Sequence, residues 1–163
     1  MDRIVDSRDQ KFVLYEMLNV TDLCKTEMFA DFDQDMFDMT LDLTKQICEE
    51  HILGCYQEVD SQGGAKFDNG KVTIPPQYHN VHKVMNEAGL FTMGITPEHG
   101  GQGMPYTICM ASYEYYSFHM GFMLYPEATT GAGHLIEVFG TDRQKKLYME
   151  KMYTQEWGGT MCL

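Results

Sequence analysis

F-G-T-D-R-Q-K-K-L-Y-M-E-K-M-Y-T-Q-E-W-G-G-T-M-C-L, running from Phe139 to Leu163, is the stretch whose reading decides the fold. Thr141 and Asp142 follow a glycine and precede a helical run, so one of them is expected to be a helix N-cap. Leu147, Met149 and Met152 place apolar groups around that helix, while Lys145, Lys146 and Lys151 remain for solvent. Gly158-Gly159 is expected to break the helix, and Thr160-Met161-Cys162-Leu163 then reads as the start of a strand. A strand needs a partner, and little before this point supplies one. The expectation is a helical domain forming the front part of a larger protein.

The chain upstream supports that reading. Residues 31 to 58 carry Phe37, Leu41, Thr44, Cys48, Ile52 and Cys55 at steps of three and four, the spacing of one helix face. Met36, Leu43 and Ile47 are expected to widen the stripe. Asp33, Asp35 and Asp38 cluster at its start, where carboxylates favour the positive helix end. Gly70 to Ile74 is a short extended piece closed by Pro75-Pro76, which forbid a central strand and suit a helix start. Gln77 to Glu87 is then helical, with Tyr78, Val81, Val84, Met85 and Ala88 on one side and Gly89 as its C-cap. Leu90 to Ile95 crosses the interior, and Pro97 to Gly103 forms a glycine-rich turn. Pro105 opens a helix reaching Phe118 or Phe122. Pro126 marks a fresh start, and a small-residue helix, Ala128 to Phe139, leads into the final one. Ahead of all this, residues 1 to 30 hold a short helix around Phe12 to Leu18 and an Asn19–Asp22 turn. So short an element is marginal alone and must dock on the rest. The fold class is all-α, a helical bundle with short connections.

Composition narrows the function classes. The chain has 163 residues, 44% hydrophobic and 22% charged, enough for one ordinary core. A net charge of −12 argues against a general binder of nucleic acid or anionic membranes. Five cysteines, at 24, 48, 55, 109 and 162, are odd in number and show no CxxC spacing, so a disulfide framework is not expected and a reducing compartment is. The charged N-terminus does not read as a signal peptide, and no apolar run approaches membrane-spanning length. Fourteen Met, nine Phe, ten Tyr and one Trp predict a soft, aromatic interior.

Several clusters invite a chemical reading. Asp31-x-Asp33-x-Asp35 imitates the opening of a calcium loop, but that loop needs Gly at its sixth position and Glu at its twelfth. Met36 and Asp42 stand there, so a solvated helix N-terminus is preferred. His79-x-x-His82 puts two imidazoles on one helix without a compelling third zinc ligand, and reads as two surface histidines. Gly100-Gly101-Gln102-Gly103 lacks the Gly-Lys-Ser/Thr of a phosphate loop and reads as a tight interhelical turn. Glu114 and His119 lie on different helix faces, so core aromatics with polar ends are preferred to an acid–base pair. Thr129-Thr130-Gly131-Ala132-Gly133-His134 is open between close helix packing and a surface for a ligand. Cys162 has no basic neighbour in sequence to activate it as a nucleophile.

The order of these motifs resembles the acyl-CoA dehydrogenase family. It runs Gly-Lys-Val…Pro from Gly70, Gly89-Leu90, Pro-Glu-x-Gly-Gly-x-Gly from Pro97, the aromatic helix, Gly-Thr-Asp-x-Gln-Lys from Gly140, and Trp-Gly-Gly-Thr-Met-Cys-Leu from Trp157. The leader D-x-x-F-V-L-Y-E-x-L from Asp9 resembles that of a larger subfamily. The strand that ends in Thr-Glu-Pro in relatives, and the Gly-Ser-Asp beyond it, are not in this sequence. The resemblance implies an N-terminal extension (1–34), the family's α-helical N-terminal domain (35–158) and the start of a β-domain (159–163). It further implies a parent flavoenzyme that makes an α,β double bond in an acyl-CoA thioester with FAD, a carboxylate removing the α-proton while the β-hydrogen leaves as hydride. Met123, Leu124, Glu127, Thr130, Gly131 and His134 match the wall of the acyl pocket, and Met161, Cys162 and Leu163 match the strand that approaches the flavin. A charged Glu127 departs from the usual apolar lining, and either faces away or signals a polar or carboxylated acyl group. The catalytic glutamate and most FAD contacts are expected outside this sequence, so no glutamate here is a catalytic base and the chain alone is expected to be inactive and not to retain FAD. The resemblance also implies an electron-transfer flavoprotein or similar acceptor, a homo-oligomeric parent, and a cytoplasmic or mitochondrial-matrix setting. A non-catalytic helical interaction module derived from the family is the alternative.

Overall fold

In the computed structural model, residues 2–160 are described. Asp6 caps the first helix, accepting from the backbone N–H groups of Arg8 and Asp9. That helix, α1 (Ser7–Lys11), continues as a π-helical turn, Phe12–Met17, and is followed by 3₁₀ turns at Val20–Lys25 and Glu27–Phe29. α2 (Gln34–Ile47) runs into a second π-helical segment, Cys48–Ile52, and a short α3 (Tyr56–Ser61). A hairpin of β1 (Lys66–Asp68) and β2 (Lys71–Thr73) precedes α4 (Pro76–Glu87). Then come α5 (Tyr106–Tyr116), α6 (Met120–Phe139), α7 (Asp142–Gln144), a π-helical Lys145–Met149 and α8 (Glu150–Tyr153). The architecture is the expected helical one, with a two-stranded sheet as its only sheet among the described residues.

The α2 stripe is as the spacing predicts: Phe37, Leu41, Thr44, Ile47, Cys48 and Ile52 are buried, and α2 packs on α5. Met36 and Leu43 are corrections, at 40% and 43% exposed. α5 and the N-terminal segment cover the Phe37–Leu41–Thr44 side and leave Met36 and Leu43 at its edge. The Asp33 side chain caps α2 by accepting from the Met36 N–H at 2.9 Å, as the helix-start reading requires. Pro76 opens α4, Gly89 ends it at φ 70°, and Leu90, Phe91, Met93 and Ile95 are buried behind it.

Four further expectations are corrected. The extended piece at Gly70–Ile74 has a partner: Lys66 pairs Thr73 and Asp68 pairs Lys71 across an Asn69-Gly70 turn. Both turn residues have positive φ, 48° and 78°, the demand of a type I′ hairpin turn. The helix after Pro105 ends at Tyr116, short of Phe118. Pro126 starts no new helix; it lies inside α6, buried. The proline has no N–H to offer the Phe122 carbonyl, and the helix continues through this single lost bond. The last helix breaks before Gly158: Thr154 is its end and Gln155 takes φ 60°, a conformation that non-glycine residues seldom adopt.

The N-terminal segment is built into the main core. Val5, Leu14 and Val20 are buried in the same cluster as Phe37, Leu41 and Ile108. Gln10, 7% exposed, donates from Nε2 to the Ala111 carbonyl and to Glu114 Oε2, both at 2.9 Å, and accepts from the Tyr115 hydroxyl at 3.0 Å. This is the docking that a short marginal helix needs.

Candidate functional site

α6 carries the residues matched to the acyl wall. It is long because all of its residues but Glu127, His134 and Glu137 are apolar or small enough to pack, and His119, in extended conformation, starts it. Its inner face buries Phe122, Pro126, Thr129, Thr130, Ala132 and Gly133. Gly133 is where the last helix crosses: a Cβ there would lie 2.8 Å from Tyr153 Cε1. Part of the small-residue run therefore serves close helix packing.

The six residues matched to the acyl wall follow one flank of α6, at the border between its inner face and solvent. Met123 is half-buried against the main core, and Leu124 is 58% exposed. Glu127 turns toward α5, where its Oε1 accepts from the Tyr116 hydroxyl at 3.0 Å and Tyr113 also hydrogen-bonds it. Burial raises the Glu127 pKa above its ordinary value, against the lowering by those two hydroxyls. Burial likewise pushes the Tyr116 and Tyr113 hydroxyls well up, with the Glu127 charge adding to it. Glu127 is thus a half-buried acceptor facing aromatic hydroxyls. Thr130 is turned inward: it donates to the Phe91 carbonyl at 3.3 Å and accepts from Gln155 Nε2 at 3.1 Å. Gly131 is half-buried. His134 is exposed, with Nδ1 3.3 Å from Glu137 Oε2.

Beside this flank α6 presents an apolar surface to solvent: Met120, Leu124, Leu135, Val138 and Phe139 are 53, 58, 52, 54 and 79% exposed. Helical spacing sets most of them on one side. Leu147 and Tyr148 of the last helix are also partly exposed. Exposed apolar side chains along one helix side make it a candidate for a surface that a ligand or another protein surface covers.

Two polar clusters escaped the sequence reading. His119, buried, sets Nε2 3.1 Å from Asp60 Oδ1. It does not pair with Glu114, which binds Gln10 instead. Glu137 gathers the Tyr153 hydroxyl, His134, and His99 at 3.6 Å. Burial would raise its pKa, but the hydrogen bonds from Tyr153 and His134 and the nearby imidazoles outweigh that and hold it below its ordinary value. His119–Asp60 and the contacts of Glu137 with Tyr153 and His99 join residues far apart in sequence or on different helices, and only the i,i+3 pair His134–Glu137 is local. Among the described residues no group of three or more His, Cys, Asp or Glu side chains is placed to hold a metal ion. His82 instead meets Gln155 Oε1 at 3.4 Å.

Met161, Cys162 and Leu163, matched to the flavin strand, lie outside the described residues. The glycine loop makes no cradle for the cofactor's phosphates. Gly101 N donates to Thr96 O at 3.1 Å, Gln102 N to Thr92 O at 3.3 Å and Gly103 N to Ile95 O at 2.8 Å, so its amides are spent on the turn itself. A Cβ at Gly101 would collide with the Ile95 carbonyl, which explains that glycine structurally. No described helix is long and apolar enough to cross a membrane.

Comparison with known proteins bears on the same stretch. Residues 34–156 match the family model "Acyl-CoA dehydrogenase, N-terminal domain". The chain is 29% identical over 157 residues to a 3-methylmercaptopropionyl-CoA dehydrogenase of Ruegeria pomeroyi, covering 96% of this chain and 26% of that protein. It is 29% identical over 161 residues to a butyryl-CoA dehydrogenase of Syntrophomonas wolfei, with the same coverage of each. A broad-specificity linear acyl-CoA dehydrogenase of Mycobacterium tuberculosis is 27% identical over 158 residues, again with 96% and 26% covered. The chain thus spans about a quarter of the length of these curated relatives, 26% in each of the three.

Proposed function

The chain belongs to the acyl-CoA dehydrogenase family, and from that premise we propose that it forms one wall of the acyl pocket of an FAD-dependent enzyme that desaturates acyl-CoA thioesters at the α,β position. The observation that carries this reading is the wet apolar side of α6 next to the matched flank: Leu124 and Leu135 stand more than half exposed beside Met123, Glu127, Thr130, Gly131 and His134. An acyl chain is an apolar ligand, and such a surface gains by covering one. Glu127 has its carboxylate held by Tyr116 at 3.0 Å, so at this wall it shapes the pocket and takes no proton from substrate. When bound, FAD would supply the redox step, and Met161, Cys162 and Leu163 are the residues of this chain proposed to approach it.

No residue of this chain is assigned as catalytic base, and the chain by itself is proposed to be inactive. For the whole protein the same reading carries an electron-transfer flavoprotein or similar acceptor and a homo-oligomer. The test is acceptor-dye reduction by the purified chain with added FAD and butyryl-CoA. No reduction above background is expected; turnover would overturn the proposal. Gel filtration separates the alternative of a self-sufficient interaction module, which runs as a single compact species. A pocket wall with its apolar side uncovered self-associates.

A further inference from the structure

A second cleft lies on the opposite side of α6 by helical spacing, and neither the family match nor the acyl wall accounts for it. It holds about 900 Å³ between the β1–β2 hairpin, α4 and the first turns of α6. That volume falls in the range of roughly 300–1,000 Å³ typical of small-molecule sites. Its walls are aromatic. Tyr78 and Phe122 have ring centroids 4.6 Å apart, and His82 and Tyr125 face each other at 5.9 Å. At one end the polar groups converge. Gln155, 7% exposed, sets its Oε1 3.4 Å from His82 Nε2 while its own Nε2 is fixed on Thr130.

The charge of the residues lining this cleft runs against that of the chain, although Asp68 pairs with Lys71 across the hairpin. With 24 acidic and 12 basic residues overall, none of the residues lining the cleft is Asp or Glu, whereas Lys71, His79 and His82 all line it. Lys71 forms no ion pair among the described residues. Asp60, whose charge reaches Tyr78, is engaged by His119 at 3.1 Å. An aromatic wall favours a flat π-system, and an ammonium with imidazoles at the rim favours an anionic head.

We propose that the cleft between the hairpin, α4 and α6 binds a small aromatic organic anion, its ring packed against the Tyr78–Phe122 pair and Tyr125 and its anionic group at Lys71 and the two histidines. The inference stands apart from flavin and acyl thioester, and its failure would leave the acyl wall untouched.

The test is equilibrium dialysis of the purified chain with 2-naphthoate at physiological ionic strength, with 2-naphthalenemethanol as the neutral counterpart. Saturable one-to-one binding of 2-naphthoate is expected, with the alcohol binding more weakly. Lys71→Glu, on an exposed hairpin, should weaken 2-naphthoate by about fivefold or more, since a rim charge within a Debye length is reversed. Tyr125→Ala, which removes a wall, should weaken both compounds. Lys146→Glu makes the same change of net charge at a residue of the last helix that does not line the cleft and should leave binding within about twofold. Circular dichroism checks that each variant is folded. Absence of saturable binding by the unaltered chain, equal binding of acid and alcohol, or equal effects of Lys71→Glu and Lys146→Glu would each overturn the proposal.

Discussion

Glu127 Oε1 accepts a hydrogen bond from the Tyr116 hydroxyl at 3.0 Å, a contact that, with the Tyr113 hydroxyl beside it, ties α6 to α5 at the flank proposed to meet the acyl chain. Tyr116 is fully buried, so removing its hydroxyl leaves a half-buried carboxylate short of a donor. Tyr116→Phe should lower stability by about 1–3 kcal/mol, read as a lower midpoint in urea with an unchanged slope.

The same carboxylate gives a pH signature. Its folded-state pKa is raised above the ordinary 4.5, chiefly by burial. Such a group adds stability that is fully present below 4.5 and lost as pH rises through the folded value. Glu127→Gln cannot titrate there. Relative to the unaltered chain, its stability should therefore improve as pH is raised from about 4 to 7. A difference that stays flat across that range would count against a buried, raised Glu127.

Gln10 makes the N-terminal segment part of the domain. Its side chain is 7% exposed and bonds Ala111, Glu114 and Tyr115. Gln10→Ala should cost about 1–3 kcal/mol, because the Tyr115 hydroxyl and the Ala111 carbonyl lose their buried partner. Surface neighbours such as Asp9→Ala should cost much less. Limited proteolysis should show the segment before α2 cut sooner in Gln10→Ala.

Gly133 lets the last helix reach α6. With a Cβ only 2.8 Å from Tyr153 Cε1, Gly133→Ala forces the ring or the helix to move, an overpacking cost of about 1–3 kcal/mol. The thermal midpoint is the readout. Gly63→Ala, where a Cβ meets nothing within 4 Å but φ is +75°, should show only the smaller cost of backbone strain, about 1 kcal/mol.

Cys48 and Cys109 should be inert. Burial pushes both thiols up to about 12, and the thiolate is the reactive form. In native protein at pH 8 a thiol reagent should label the half-buried Cys24 and spare these two, which should react on unfolding. Mass spectrometry of the labelled chain decides it.

Much of the fold can be read in the residues because it is locally encoded. The α2 stripe from Phe37 to Ile52, the Pro76 start of α4 and the Thr141 cap each rest on neighbours within a turn or two. Thr141 forms a full capping box with Gln144, the pattern its position before a helical run suggests. What escaped is non-local or locally misleading. Pro126 looks like a boundary, yet one lost backbone bond is a small price inside a helix as well packed as α6. Lys66–Asp68 has no apolar alternation to announce a strand, since both hairpin strands are exposed throughout. Gln155 holds its left-handed backbone through bonds to Thr130 and His82, twenty-five and seventy-three residues away. The flank of α6 proposed as the acyl wall rests on the resemblance to relatives, and the inward turn of Thr130 and the Tyr116 partner of Glu127 depend on α5 and the Phe91 loop, which no spacing along α6 reveals.

The central claim is that this chain supplies one wall of a flavin-dependent acyl pocket and needs the rest of the pocket to hold its cofactor. The most direct measurement is a visible absorbance spectrum of the purified chain, incubated with FAD and then passed through gel filtration. The account predicts no flavin absorbance in the protein fraction. Flavin that co-elutes with the chain and bleaches on addition of an acyl-CoA would contradict it.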